Sequence, residues 1–148
     1  SEIDSELIMI GDGPDLNSVI SLTQKLNLQD SVRFLGKSKD IDGFLKYSDL
    51  FLLPSETESF GLVALEAMSF GVPVISSNMG GVTELVIHGF NGYNCMVGDV
   101  NMMISKSLEL LRDANLFTAM SKNAYATAKK YDIIKIVSRY EQLYLNLL

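Results

Sequence analysis

The sequence predicts an α/β chain, a doubly wound parallel sheet with helices on both faces. Three observations carry that expectation. Five short apolar runs alternate with stretches of helical spacing, the pattern of βαβ units. The runs are apolar nearly throughout, as strands covered on both faces are. Glycine or proline closes several of them, at Gly11, Gly36 and Pro54.

The first run, Glu6 to Ile10, reads as a buried strand ending in the turn Gly11-Asp12-Gly13-Pro14. Pro14 suits a first helical turn, and Leu16, Val19, Ile20, Thr23 and Leu26 follow at helical spacing. Val32 to Leu35 is the second strand. Ile41 to Tyr47 reads as a short helix with Phe44 and Leu45 inward, and Leu50 to Leu53 as the third strand. Phe60 to Phe70 is helical and apolar almost all round, so burial is expected, with Gly71 as its stop. Pro73 to Ser76 is the fourth strand. Gly80-Gly81 precedes a helical turn through Leu85, and Gly89 to Gly92 turns into a fifth strand, Tyr93 to Val97. Three helices complete the chain over residues 99–148. Asp99 and Asp132 are the expected N-caps of the first and third. The last carries one apolar stripe through Ile133, Ile136, Val137, Tyr140, Leu143, Tyr144 and Leu147.

The 148 residues are enough for one ordinary domain, and residues 1–148 are read as a single unit. An apolar fraction of 47% and a charged fraction of 20% exclude disorder and collagen-like repeats. The net charge of -6 argues against nucleic acid as a partner. No apolar run approaches the ~18 residues of a membrane helix, so no transmembrane segment is expected. A lone Cys95 excludes an internal disulfide and fits a reducing, cytoplasmic location. One Cys with one His makes zinc a poor expectation. His88 reads as a turn residue and Cys95 as buried filler. Met68, Met96, Met102, Met103 and Met120 read as core and interface filler, and Lys129-Lys130 as a helix-end charge. The turn at Gly11 resembles a dinucleotide fingerprint, but Leu16 stands where its third glycine belongs.

In such sheets ligands bind beyond the carboxyl ends of strands. The richest such end runs from Pro54 through Glu58-Ser59-Phe60-Gly61-Leu62-Val63 to Glu66. With Ser59 as N-cap, the amides of Phe60 to Val63 would open the helix without intrahelical partners and attract an anion. Gly61 would let a ligand approach the backbone. Two readings are open for each acid. Glu58 is either a carboxylate stabilising a helix terminus or a ligand contact. Glu66 is either a buried ion pair or a partner for a hydroxylated ligand. Their coincidence with a glycine at a helix start favours a ligand.

This stretch resembles the C-terminal, nucleotide-sugar-binding domain of the GT-B glycosyltransferases of family 4, whose retaining members carry a Glu-x7-Glu motif. Gly11-Asp12-Gly13-Pro14, Val32-Arg33-Phe34-Leu35-Gly36, Gly71-Val72-Pro73-Val74-Ile75, Gly80-Gly81 and Glu84 follow in the family's order. The resemblance covers essentially the whole chain. Within the family the likeness is nearest to the bacillithiol-pathway subfamily, which joins N-acetylglucosamine to L-malate. Its marks are Leu53 to Leu62, Phe34-Leu35-Gly36-Lys37 and Ile136 to Glu141.

The resemblance implies a Rossmann-like half of a GT-B fold that binds a UDP-sugar as substrate, with no cofactor and no metal. It implies that Glu66 holds the ribose hydroxyls and that Glu58, Ser59, Phe60 and Gly61 face the donor sugar, Glu58 as the catalytic-site acid. The Leu62 and Val63 amides would meet the diphosphate, and the stretch around Arg33 and Phe34 would frame the base. The family's N-terminal acceptor domain and its basic loop are not matched, so a fragment inactive by itself is expected. That missing domain is one expected partner of the last helix and a second copy of the chain another. The alternative is a non-catalytic sugar-nucleotide-binding or interaction module of the same fold.

Overall fold

The computed structural model describes residues 3–147. It divides into two compact units, one up to Phe44 and one from Leu45 onward.

In the first unit, strand β1 (Leu7–Ile10) pairs in parallel with β2 (Val32–Gly36), Leu7 opposite Val32 and Ile10 opposite Gly36. Helix α1 (Leu16–Lys25) connects them. Asn27, at φ 55°, turns the chain out of α1 while Leu28 N–H returns to the Thr23 carbonyl at 3.0 Å. The first strand is not buried as expected. Its exposure alternates, with Leu7 and Met9 exposed and Ile8 and Ile10 half-buried, as a strand in a two-stranded sheet allows. A short helix, α2 (Ile41–Leu45), ends the unit. Its Gly43 amide is held by the Asp40 carboxylate at 3.0 Å.

The second unit holds a three-stranded parallel sheet in the order β3 (Phe51–Leu53), β4 (Val74–Ser77), β5 (Gly92–Cys95). Its helices are α3 (Leu62–Ser69), α4 (Val82–Leu85), α5 (Val100–Arg112), α6 (Ala114–Ala128) and α7 (Ile133–Leu145), with a 3-10 turn at Lys129–Tyr131. Every residue of β4 is buried. Neighbours on that strand enter different cores, because successive side chains point to opposite faces. Val74 packs with Ala64, Ala67 and Met68 of α3 and Ala124 of α6. Ile75 packs with Tyr93, Cys95, Leu110 and Met120. Helices therefore cover both faces of this sheet, and the chain has the expected Rossmann-like α/β character.

Two polar networks tie the second unit together. Asn91 is fully buried; its amide donates to the Leu85 carbonyl at 2.9 Å and Thr127 Oγ1 at 3.0 Å, and its oxygen accepts the Ile87 N–H at 2.8 Å. Tyr93 donates to Glu109 Oε1 at 2.8 Å, and Lys106 donates to Glu109 Oε2 at 2.6 Å. The Lys106 ammonium, helped by the Tyr93 hydroxyl, holds the Glu109 carboxyl below its ordinary range. Burial and the Glu109 carboxylate push the Tyr93 phenol up to about 12.

Asp99 and Asp132 cap α5 and α7, accepting the amides of Met102 and Ile134. Burial above all, with Asp99 adding to it, pushes the Cys95 thiol up. Met68 and Met120 are core residues, but Met96 and Met102 are exposed rather than filler. Helix α7 buries none of its residues, and its apolar stripe is exposed or half-exposed throughout. Among the described residues no helix is long and apolar enough to cross a membrane.

Candidate functional site

The loop after β3 does not begin its helix where the sequence suggested. Ser59 is not the N-cap. Helix α3 opens at Leu62, and its cap is Gly61, held at φ 88° and ψ 44° with no side-chain hydrogen bond of its own. The reason is competition between neighbours for the same amides. Glu58 folds back so that one oxygen, Oε1, accepts from Ser59 N–H at 3.0 Å and Gly61 N–H at 3.1 Å. A carboxylate takes two such donors better than a hydroxyl takes one. Glu58 is thus a helix-terminus acid in geometry, with Oε2 making no hydrogen bond among the described residues.

One amide expected to be open, that of Gly61, is therefore taken. Those of Leu62 and Val63 find no acceptor among the described residues, as the first amides of a helix lack intrahelical partners. Leu62 is 64% exposed and Val63 42%. Helix α3 buries only Ala64, Ala67 and Met68. The expectation of a helix covered all round is corrected: Ala64, Ala67 and Met68 face the core, while Leu62, Val63 and Phe70 stay exposed.

Glu66 lies on the exposed side of α3 and makes no ion pair or side-chain hydrogen bond among the described residues. The buried ion pair is thereby excluded as an account of this acid. It lines a cleft of ≈ 420 Å³ with Leu62, Ser69, Tyr125, Lys129 and Tyr131 among its walls. Sequence reasoning missed the far wall of this cleft. Lys129 caps the C-terminal end of α6, as a helix-end charge should, and its ammonium also lies 5.1 Å from the centre of the Tyr125 ring. The four-residue spacing on one helix face was the available signal.

The loop is fixed from behind by the Gly80-Gly81 pair. Gly81 N–H donates to the Ser59 carbonyl at 3.0 Å. A Cβ on Gly80 would lie 1.7 Å from the Glu58 carbonyl oxygen, and one on Gly81 2.5 Å from that of Ser59. Two residues without side chains are what permit this approach. The rings of Phe60 and Tyr131 meet edge-on, 5.8 Å apart at 66°.

Glu58, Ser59, Phe60, Gly61, Leu62, Val63 and Glu66 thus share one loop and helix of the second unit. Arg33 and Phe34 belong to the first. Arg33 Nη1 bonds to Glu6 Oε1 at 3.2 Å on the surface. Phe34 lines a cleft of ≈ 260 Å³ with Gly11, Gly13, Pro14 and Leu16. His88 is exposed in its turn, as expected, with Nδ1 near the Asn94 backbone. Among the described residues no group of three or more His, Cys, Asp or Glu is placed to hold a metal ion.

Comparison with known proteins gives a consistent result. The family model for glycosyl transferases group 1 matches residues 1–127. The N-acetyl-alpha-D-glucosaminyl L-malate synthase of Bacillus anthracis is 42% identical over 149 residues, covering 100% of this chain and 39% of that protein. An Escherichia coli UDP-Gal:alpha-D-GlcNAc-diphosphoundecaprenol alpha-1,3-galactosyltransferase is 34% identical over 146 residues, 97% of this chain and 38% of its own length. Among solved structures, Anabaena HepE in complex with UDP superposes with a TM-score of 0.87 at 29% identity, covering 97% of this chain and 41% of that one. The chain thus spans about two fifths of the length of these relatives.

Proposed function

The chain belongs to the group 1 glycosyl transferases, and on that premise we propose that it is the donor-binding half of a retaining enzyme that takes a UDP-sugar. The observation that carries this is the free Glu66 carboxylate on an open cleft, on the same short helix as two amides that lack acceptors. A carboxylate recognises sugar alcohols through charge-assisted hydrogen bonds, each ~1.5–3 kcal/mol. Glu66 is assigned the ribose hydroxyls.

The Leu62 and Val63 amides, at the positive end of the α3 dipole, are assigned the diphosphate. When the bond from the anomeric carbon to the diphosphate oxygen breaks, negative charge grows on that leaving group, and fixed N–H donors stabilise it as it forms. Glu58 is assigned the donor sugar. Its Oε1 is anchored by two amides, which leaves Oε2 to accept from a sugar hydroxyl at the reacting end. No cofactor and no metal enter this scheme. The base-framing role of the Arg33–Phe34 stretch is part of the proposal and is tested separately by Phe34→Ala.

The 42% identity to a synthase whose name specifies N-acetylglucosamine and L-malate supports those two as donor sugar and acceptor. The acceptor site is assigned to the part of the relatives that this chain does not match, so the chain alone should not turn over. The exposed stripe of α7 is assigned to contact with that other half, the alternative being a second copy, and the reaction to the cytoplasm.

Calorimetric titration with UDP, UDP-N-acetylglucosamine, GDP and NAD tests the proposal. UDP compounds should bind, and Glu66→Ala should weaken them by about 10- to 100-fold through loss of one charge-assisted hydrogen bond. Binding of NAD without UDP would overturn the reading. Turnover by the chain alone with UDP-N-acetylglucosamine and malate would overturn the half-site assignment.

A further inference from the structure

We propose that Tyr131 is a positioning residue for the donor loop, acting through the ring of Phe60; the inference rests on the reading that residues 58–63 hold the donor. Gly61 has neither a side chain nor a capping hydrogen bond from one, and its φ of 88° lies where glycine has wide freedom. The direction in which the Leu62 and Val63 amides point is therefore set by what holds the loop around Gly61: the Glu58 carboxylate on its amide and the packing of Phe60 before it.

Phe60 is held on two sides. Its backbone lies against Gly81, where a Cβ would come within 3.0 Å of the Phe60 Cα and 3.4 Å of its ring. The ring itself meets Tyr131 edge-on at 5.8 Å. Tyr131 sits in the 3-10 turn after α6 and lines the same cleft as Glu66, Lys129 and Asp132. That turn lies just beyond residue 127, where the family match stops. The Tyr131 hydroxyl makes no hydrogen bond among the described residues, so the ring and not the polar tip does the holding.

The test is UDP titration of the full chain and of Tyr131→Phe, Tyr131→Leu, Phe60→Leu and the double Leu variant, each checked by circular dichroism. Loss of an edge-on aromatic pair should weaken UDP by about 2- to 10-fold in Tyr131→Leu. Tyr131→Phe should bind as the unmodified chain does. In the double variant the two losses should be less than additive, because each removes the same contact. Should Tyr131→Leu fail to fold, Tyr131→Met keeps apolar bulk without the ring and carries the same expectation. Unchanged affinity in a folded Leu or Met variant overturns the inference while the donor reading stands, as does a Tyr131→Phe as weak as Tyr131→Leu. Full additivity also overturns it. Absence of UDP binding by the unmodified chain overturns the donor reading and the inference with it.

Discussion

Replacing Gly80 by alanine separates close approach from backbone strain, because Gly89 offers a matched control. Both residues have positive φ, 59° at Gly80 and 75° at Gly89. An alanine in that region costs ~1–2 kcal/mol wherever it stands. At Gly89 nothing lies within 4 Å of the added carbon, so that is the whole cost. At Gly80 the new Cβ would lie 1.7 Å from the Glu58 carbonyl oxygen, where ordinary contact begins at 3.4 Å. The two backbones must part by roughly 1.5 Å to restore a van der Waals separation. Overpacking of this kind adds ~1–3 kcal/mol. Gly80→Ala should therefore be less stable than Gly89→Ala by about 2 kcal/mol, or roughly 4–8 °C in melting temperature for a chain of this size. Urea titration at neutral pH measures the difference. A displaced Glu58 should also lower UDP-N-acetylglucosamine affinity at least ~10-fold in Gly80→Ala, since misplacement of about 1 Å is costly at such sites, and leave Gly89→Ala near the unmodified value. Equal destabilisation by the two substitutions would refute the argument from close approach.

Further outcomes follow from the same physics. Asn91→Ala removes three buried hydrogen bonds and strands the Leu85 carbonyl and the Ile87 amide. Denaturant unfolding should show a loss of roughly 3 kcal/mol at ~1 kcal/mol per bond. The folded-state pKa of Tyr93, about 12, lies above its ordinary value of 10.0. Its contribution to stability is then fully present below pH 10 and is lost as pH rises through 12. Urea midpoints between pH 8 and 12 should fall less steeply in Tyr93→Phe than in the unmodified protein. Cys95 is buried with its thiol pushed up, so thiol reagents at pH 7.5 should label it only at the rate of unfolding; fast labelling of the native chain would contradict its placement on β5.

The alternation of strands and helices, the caps at Asp99 and Asp132, and the grouping of Glu58, Gly61 and Glu66 at one strand end are legible in the residues alone. Each of these is a local matter. A cap reaches amides two or three residues on, and eight residues between two acids fix their relation once the segment is known to turn from strand to helix. Tertiary structure decided the rest. Whether Ser59 or Glu58 takes the loop amides depended on Glu58 folding back onto Ser59 and Gly61, with Gly61 free to hold a positive φ. The reason for Gly80-Gly81 lay twenty-odd residues upstream, in carbonyl oxygens that a Cβ would strike. Asn91, which reads as a turn residue, is a buried hub whose third bond reaches Thr127 on α6. Likewise, Tyr131 reached Phe60 from a segment seventy residues away. Contacts of that kind depend on how separate elements pack, and side-chain periodicity within one element carries no record of which neighbour fills the space beside it.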